Sequence, residues 1–355
     1  MLRHLEQKTG KAPPREGLCC MALTHNEGKI LPDFLRHYRE LGIDHFLIVD
    51  DRSTDETADI LDASPDVTVF HPADGTSYKE HKRFWRAEVL DTFSAGRWVI
   101  VPDIDEHLIL PPSAGSRLPN VIEALEAEGA DALHATMVDM YRDAPLADHA
   151  YSHGKLVEAF PLFDGPDNYF RLPVPKKNLA RYPTPIMMVV GGMRQRVFRP
   201  FDLFRGDLLD RTFRRIADIG GSLEPRPAEL RKSRLVRLLM QGRVRYSHSY
   251  NMSKIPLLKW RQGLYFHGGA HTLSQRMNLS SMKAALLHFN FASGLSGVER
   301  RIARGQHARG SRFYRKMTEQ ADLLRKSPVF DGTLQYDGPS SLGRLLSGIE
   351  TEEGT

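Results

Sequence analysis

The stretch RWVIVPDIDEHLIL, Arg97 to Leu110, is an apolar run interrupted by Asp103, Ile104, Asp105 and Glu106. Such a run reads as a buried strand, and the acids fall where that strand leaves its sheet. In an extended chain successive side chains alternate, so Asp103 and Asp105 share one side and Ile104 takes the other. Carboxylates paired in this way suit one divalent cation, or a cation and a sugar hydroxyl, so a strand-end D-x-D invites a metal-bound diphosphate. A polar strand terminus is the plain alternative, and the flanking segments decide between the two.

Upstream, Leu18 to Leu23 (LCCMAL) reads as a buried strand running into Thr24, His25, Asn26 and Glu27. Ile30, Leu31, Phe34, Leu35, Tyr38 and Leu41 then recur at helical spacing until Gly42 stops the pattern. His45 to Asp50 (HFLIVD) is a second strand, followed by Asp51, Arg52, Ser53, Thr54 and Asp55, where Ser53 or Thr54 caps a helix beginning near Asp55. A third strand is expected at Val67 to His71 and a long helix at Ser77 to Ala95. Alternating strands and helices predict an α/β fold with a mostly parallel sheet and right-handed crossovers. Ligands of such sheets sit outside the carboxyl ends of the strands, so the three polar clusters should converge on one crevice. No G-x-G-x-x-G follows the first strand and no G-x-x-x-x-G-K-[ST] occurs, which disfavours dinucleotide and P-loop sites. Later segments are expected as a helix at Leu118 to Gly129, a strand at Ala132 to Met140, a strand at Gly192 to Phe198, a helix at Arg231 to Met240, and Ser281 to Leu287 leading into His288. The tail from about Leu342 should fray.

At 355 residues, 41% hydrophobic and 26% charged, the chain has a soluble composition with ample length for a full core. No apolar stretch nears the roughly 18 residues of a transmembrane helix, and the first residues lack an apolar signal segment, so a cytoplasmic location is expected. Cys19 and Cys20 are adjacent inside an apolar run and suit a buried strand rather than a disulfide. Net charge is +5, with Arg and Lys crowded between Arg171 and Arg261, so an anionic partner is expected on that half. No zinc spacing, helix-turn-helix pattern or RNP-type strand is present, and nucleic acid is not an expected partner.

The clusters match the demands of a nucleotide sugar. Thr24, Asn26 and Glu27 can hold base and ribose, Asp51 can accept from a base N–H, and Asp105 can bind Mn2+ or Mg2+ across the two phosphates, with Asp103 at its side. As plain turn and cap formers, Asn26, Ser53, Asp51 and Asp55 need no ligand. Lys79, Lys82, Arg83 and Arg86 share one helix face, and Arg86 is the residue expected to reach the substrate. Among the histidines, His288 in ALLHFNF is a candidate metal or phosphate ligand, and His271 in GGAHTL a weaker one.

THNEGKILPDFLRHYRELGIDHFLIVDDRSTDET and VPDIDEHL resemble the opening and the D-x-D-E strand end of glycosyltransferases of the family 2-like group, which have the GT-A fold. VDMY, PLFD, GGMRQRVF, SKIPLLKW, GGAHTL and LLHFNF resemble a bacterial subgroup within it, so the resemblance runs from about Leu18 to about Tyr314. It implies a GT-A (Rossmann-like) sheet flanked by helices, with a mixed C-terminal extension on the acceptor side. The corresponding division is a leader over 1–16, a nucleotide-sugar-binding half over 17–140, an acceptor-side half over 141–315, and a C-terminal helix and tail over 316–355. It also implies metal-dependent, inverting transfer from a nucleotide sugar, typically a UDP-sugar, to a hydroxyl in bacterial surface polysaccharide or glycoconjugate assembly. By position Thr24, Asn26, Glu27 and Asp51 would contact the nucleotide, and Asp105 would ligate the metal.

The Glu-Asp pair that supplies the base in better-known members has no clear counterpart. Inversion needs a group that deprotonates the acceptor hydroxyl, and Asp139 and Asp164, both bounded by apolar residues, are the candidates, with burial expected to raise their pKa values. Two other readings remain open, a nucleotidyltransferase acting on a sugar phosphate and a non-catalytic carbohydrate- or membrane-binding module. The acceptor would be a glycan or a lipid-linked hydroxyl. The basic stretch Arg231 to Arg245, with Leu235, Leu238 and Leu239 interleaved, is expected to dock peripherally on an anionic membrane.

Overall fold

The expected alternation of strand and helix is present in the computed structural model, which describes residues 2–9, 16–201, 208–239, 250–267, 269–303, 315 and 317–346. In chain order the first half comprises β1 (Leu5–Thr9), β2 (Cys19–Thr24), α1 (Leu31–Glu40), β3 (His45–Asp50), α2 (Thr57–Asp62), β4 (Val67–Pro72), α3 (Tyr78–Phe93), β5 (Trp98–Ile100), β6 (Glu106–Ile109) and α4 (Leu118–Glu128). Strands β4, β3, β2 and β5 lie side by side and parallel. Their carboxyl ends therefore open on one edge. Each of β2 and β3 is buried throughout, as expected of strands covered on both faces. Leu31, Phe34, Leu35 and Tyr38 of α1 are at most 1% exposed, and each contributes roughly 1.5–3 kcal/mol by leaving water. Residues expected to be a polar leader supply β1, which adds antiparallel to the outer edge of β4.

The second half comprises β7 (Ala132–Tyr141), α5 (Leu156–Ala159), β8 (Leu162–Asp164), β9 (Tyr169–Pro173), α6 (Lys176–Leu179), β10 (Met187–Gly191), α7 (Gly192–Phe198), α8 (Leu208–Ile216), α9 (Pro227–Leu239), β11 (Ser253–Lys259), β12 (Phe266–His267), β13 (Thr272–Leu273), β14 (Leu279–His288), α10 (Gly294–Ala303) and β15 (Thr333–Gln335). Strand β11 lies between β5 and β7, antiparallel to both, and β14 follows parallel to β7. Strand β6 closes that side antiparallel to β14. The result is one large α/β sheet flanked by helices, Rossmann-like in its first half and mixed beyond it. Among the described residues no helix is long and apolar enough to cross a membrane.

Two segments differ from expectation in ways that shape the site. In the run Arg97 to Leu110, β5 leaves the sheet after Ile100, ahead of the acids as expected, but the chain then turns and a second strand, β6, begins at Glu106 on the far side of β11, β7 and β14. Gly192 to Phe198 is the helix α7, and the strand is the preceding Met187–Gly191. Gly191 explains the switch. Its φ is +123°, and a Cβ there would lie 2.0 Å from the Asn168 carbonyl oxygen, so only glycine lets β10 pass so close before the helix starts.

Candidate functional site

The ends of β2 and β3 are stitched together by their own polar residues. The Asn26 N–H donates to Ser53 Oγ (2.9 Å), and the Thr54 N–H donates to Asn26 Oδ1 (2.7 Å). Ser53 in turn donates its N–H to Asp50 Oδ1 (3.1 Å), and the Glu27 N–H donates to Thr57 Oγ1 (3.0 Å). The first two expected clusters thus do meet. Asn26 and Ser53 meet as turn formers, the plainer of the two readings. Asn26 (φ +53°) and Arg52 (φ +59°) are the non-glycine residues with positive φ among the described residues, one after each strand. Backbone strain of this kind costs about 1–3 kcal/mol per residue and concentrates at functional sites. Arg52 Nη1 donates to Asp51 Oδ1 (3.0 Å), and Asp51 is 2% exposed. Thr24 Oγ1 is buried with no hydrogen-bond partner among the described residues. Ser293, after β14, donates to Glu27 Oε2 at 3.5 Å and so brings the far end of the chain to this edge.

In the turn between β5 and β6 the acids separate. Asp103 faces two cations: Arg86 Nη2 lies 2.7 Å from its Oδ1, and Lys254 Nζ lies 2.6 Å from its Oδ2. Lys254 Nζ is also 2.9 Å from Glu106 Oε1, and the Asp103 N–H donates to Glu106 Oε2 (3.0 Å). Burial alone would raise the Asp103 carboxyl, but the charges of Lys254 and Arg86 outweigh it and hold the group well below the usual carboxylate range. Glu106 moves the other way, since burial raises it more than Lys254 lowers it. Burial opposes the charge on Lys254, yet the two carboxylates raise its pKa above the ordinary lysine value.

Asp105 is turned toward β14. His288 Nε2 stands 3.6 Å from Asp105 Oδ2, and its Nδ1 is 2.9 Å from Asp139 Oδ1. Strand register sets this row, because His288 pairs with Asp139 on one side and with Glu106 on the other. Burial and Arg194 work against a proton on His288, whereas Asp105 and Asp139 favour it, and the net shift is upward. The alternation expected of an extended chain, which puts Asp103 and Asp105 on one side, does not hold: Ile104 and Asp105 form the turn, and Asp103 and Asp105 meet different partners.

The two acids expected as bases are both held by guanidinium groups. Asp139 is 1% exposed, and Arg194 Nε donates to its Oδ2 at 2.9 Å. Burial would raise its pKa, but Arg194 and His288 outweigh this and bring it down to about 2, opposite to the expected direction. Asp164 is fully buried, takes two bonds of 2.8 Å from Arg196, and accepts from Tyr141 Oη (2.9 Å). Burial does raise its pKa, against the pull of Arg196. Neither carboxylate is exposed to solvent.

Arg86, the residue expected to reach the substrate, is 2% exposed, whereas Arg83 on the same helix is exposed. Its partner is Asp103, and its Nε is buried without a hydrogen bond among the described residues. Lys82, one turn earlier, is pushed down to about 8 by burial and then by Arg86. His271 donates through Nδ1 to the Ser253 carbonyl (2.6 Å), and burial followed by Lys254 lowers its pKa to about 3. With a carbonyl as the partner, Nδ1 carries the proton. Lys254 and Arg194 carried no role in the sequence reading. The available signal was a charged residue inside an otherwise apolar strand, SKIPLLK, which demands a buried partner.

The chemistry of the donor set fits a hard divalent cation at one place. Asp105 offers carboxylate oxygen, His288 offers Nε2, and Asp139 holds the other ring nitrogen as carboxylates commonly do behind metal-bound histidines. Among the described residues no three His, Cys, Asp or Glu side chains are grouped as a complete metal site. The remaining ligands would have to be phosphate oxygens or water.

No family model matches the chain, and no curated protein matches it. Among solved structures it is similar to a crystal structure of 4-diphosphocytidyl-2C-methyl-D-erythritol synthase, at 20% identity over 37% of this chain and 64% of that one, with a TM-score of 0.26. It is also similar to a Bacillus anthracis protein assigned as a glucose-1-phosphate thymidylyltransferase, in complex with sucrose, at 8% identity over 37% of this chain and 57% of that one, with a TM-score of 0.25. The chain spans less than two thirds of either structure, and likeness at these scores carries no inference about its activity.

Proposed function

We propose that this protein is a metal-dependent, inverting glycosyltransferase that moves a sugar from a nucleotide sugar, a UDP-sugar in the first instance, to a hydroxyl acceptor. The observation that carries the reading is the facing pair Asp105 and His288, with Asp139 behind the imidazole, set beside Arg86 and Lys254 in the turn between β5 and β6 and on the strands that flank it. Asp105 and His288 would hold Mn2+ or Mg2+, which as a Lewis acid would stabilise the departing diphosphate. Arg86 and Lys82 supply positive charge on the helix beside it, and electrostatic stabilisation of a leaving group is strongest where such charge is fixed in advance. The strained ends of β2 and β3, with the orphan hydroxyl of Thr24 and the acids Glu27 and Asp51, support nucleoside binding there.

The finer parts of the proposal are a glycan or lipid-linked acceptor in surface polysaccharide assembly, a cytoplasmic location, and contact with an anionic membrane. For the last, α9 exposes Leu235 (58%) and Leu238 (59%) on the same face as the exposed Arg231. Residues 240–245 of the expected basic stretch lie outside the described residues. Binding to anionic vesicles that weakens with salt is the expected result for this face.

The decisive experiment titrates UDP with and without Mn2+ into the wild-type protein and Asp105→Ala, followed by a screen of UDP-sugars for UDP release. Metal-dependent binding lost in the variant, with release of UDP on turnover, is the expected outcome. Release of pyrophosphate from a nucleoside triphosphate and a sugar phosphate would instead establish the nucleotidyltransferase reading. Absence of nucleotide binding in the wild type would overturn both.

A further inference from the structure

Lys254, near the start of β11, is 1% exposed, and a lone ammonium so buried would be strongly disfavoured. It is tolerated because Asp103 and Glu106 both reach it, at 2.6 and 2.9 Å. Arg86 completes the group from the opposite side of Asp103. Two cations thus face two carboxylates, and both oxygens of Asp103 are taken. The backbone closes over the pair at Gly269, whose φ is +79°; a Cβ there would stand 3.5 Å from Lys254 Nζ and 3.8 Å from Asp103 Oδ2. A divalent cation approaching Asp103 would have to lie against an ammonium and a guanidinium, a repulsion that low-dielectric surroundings magnify. Asp105, two residues on, faces the imidazole of His288 at 3.6 Å.

We propose that Lys254 is a positioning residue that sorts the acids of the D-x-D turn: by holding Asp103 and Glu106 on protein cations, it confines a divalent cation to Asp105 and His288. This rests on the metal use proposed above and goes beyond it, because it predicts that deleting a positive charge will create metal affinity. Without Lys254, Glu106 and one oxygen of Asp103 lose their cation and become hard-oxygen donors of the kind Mn2+ takes.

The test titrates Mn2+ alone into the full-length protein and reads free Mn2+ by electron paramagnetic resonance, without nucleotide or turnover. Lys254→Met is expected to bind Mn2+ about tenfold tighter than wild type, a factor one uncompensated neighbouring charge readily supplies. Lys254→Met/Glu106→Gln, which restores the charge count, is expected to lose most of that gain. Unchanged or weaker Mn2+ binding by a folded Lys254→Met would overturn the proposal. Should that variant fail to fold, Asp103→Asn and Asp105→Asn decide. Asp105→Asn is expected to weaken Mn2+ binding at least several-fold while Asp103→Asn leaves it within about twofold, and equal losses in both would overturn it. A protein that never binds UDP but shows the Lys254→Met gain would sink the transferase reading and leave this one standing.

Discussion

Replacing Asp139 with Asn tests whether the row across β7 and β14 is built as the distances indicate. The side chain is nearly isosteric, so the change removes charge with little change of volume. Two neighbours lose by it: Arg194, whose side chain is 11% exposed, and His288, at 7%. Breaking one partner of a buried ion pair costs about 3–5 kcal/mol, and because Asn keeps one acceptor for His288 the lower end applies. For a chain of 355 residues that corresponds to a fall in Tm of about 4 °C. The second consequence is on metal binding, since loss of the carboxylate behind a metal-bound histidine typically weakens affinity 10–100-fold. Differential scanning calorimetry with and without Mn2+ and UDP separates the two effects: Tm of the free protein should fall, and its rise on adding ligand should shrink as well. An Asp139→Asn protein with wild-type Tm would refute the buried pair. One with lowered Tm but an undiminished ligand-induced rise would refute His288 as a ligand.

Two further outcomes follow from neighbouring observations. Arg86→Met should weaken UDP binding about tenfold while leaving uridine binding unchanged, because a charged hydrogen bond to phosphate is worth roughly 1.5–3 kcal/mol and the proposal puts the nucleoside at other residues; equal losses for both ligands would place Arg86 in a purely structural role. His134 is fully buried in β7 with neither ring nitrogen hydrogen-bonded among the described residues, and burial, then Lys283, lowers its pKa from 6.5 to about 3. The folded state keeps this ring neutral while the unfolded state takes up a proton below 6.5, so the stability it allows is complete above that pH and declines as pH falls toward 3, by about 2 kcal/mol at pH 5. His134→Leu should therefore flatten the loss of Tm between pH 7.5 and pH 5, and an unaltered slope would refute the linkage.

What the sequence made legible was whatever depends on neighbours along the chain. Helix α1 announces itself because Leu31, Phe34, Leu35 and Tyr38 recur at 3.6-residue spacing, and the structure buries each of them. Strands β2 and β3 are unbroken apolar runs ending in polar clusters, and parallel pairing then forces those clusters onto one edge. The fate of the D-x-D was not legible, because what divides Asp103 from Asp105 comes from far away: Lys254 is 151 positions from Asp103, and His288 is 149 from Asp139. GGMRQRVF misled for a related reason. Arg194 and Arg196, inside a segment that reads as a strand, sit on a helix and meet different acids, Asp139 and Asp164. Isolated between apolar residues, those acids suggested elevated pKa values and a base, and only the arrival of α7 shows that each is one half of an ion pair.

The same pairings bear on how a charged donor is received. Asp103, Glu106, Asp105 and Asp139 confront Arg86, Lys254 and Arg194, with Lys82 close by and His288 between two of the acids. With the imidazole neutral these charges nearly cancel, so a doubly charged diphosphate diester meets little net attraction in the absence of a cation. A divalent cation held by Asp105 and His288 shifts the sum by the charge that the diphosphate carries. Metal and nucleotide should therefore bind as a linked pair, each raising the affinity of the other by the same factor, as any coupling between two bound species requires. Lys254 is what makes this coupling possible: an Asp103 left without its ammonium would attract the cation on its own account, and the metal would no longer wait for the phosphate.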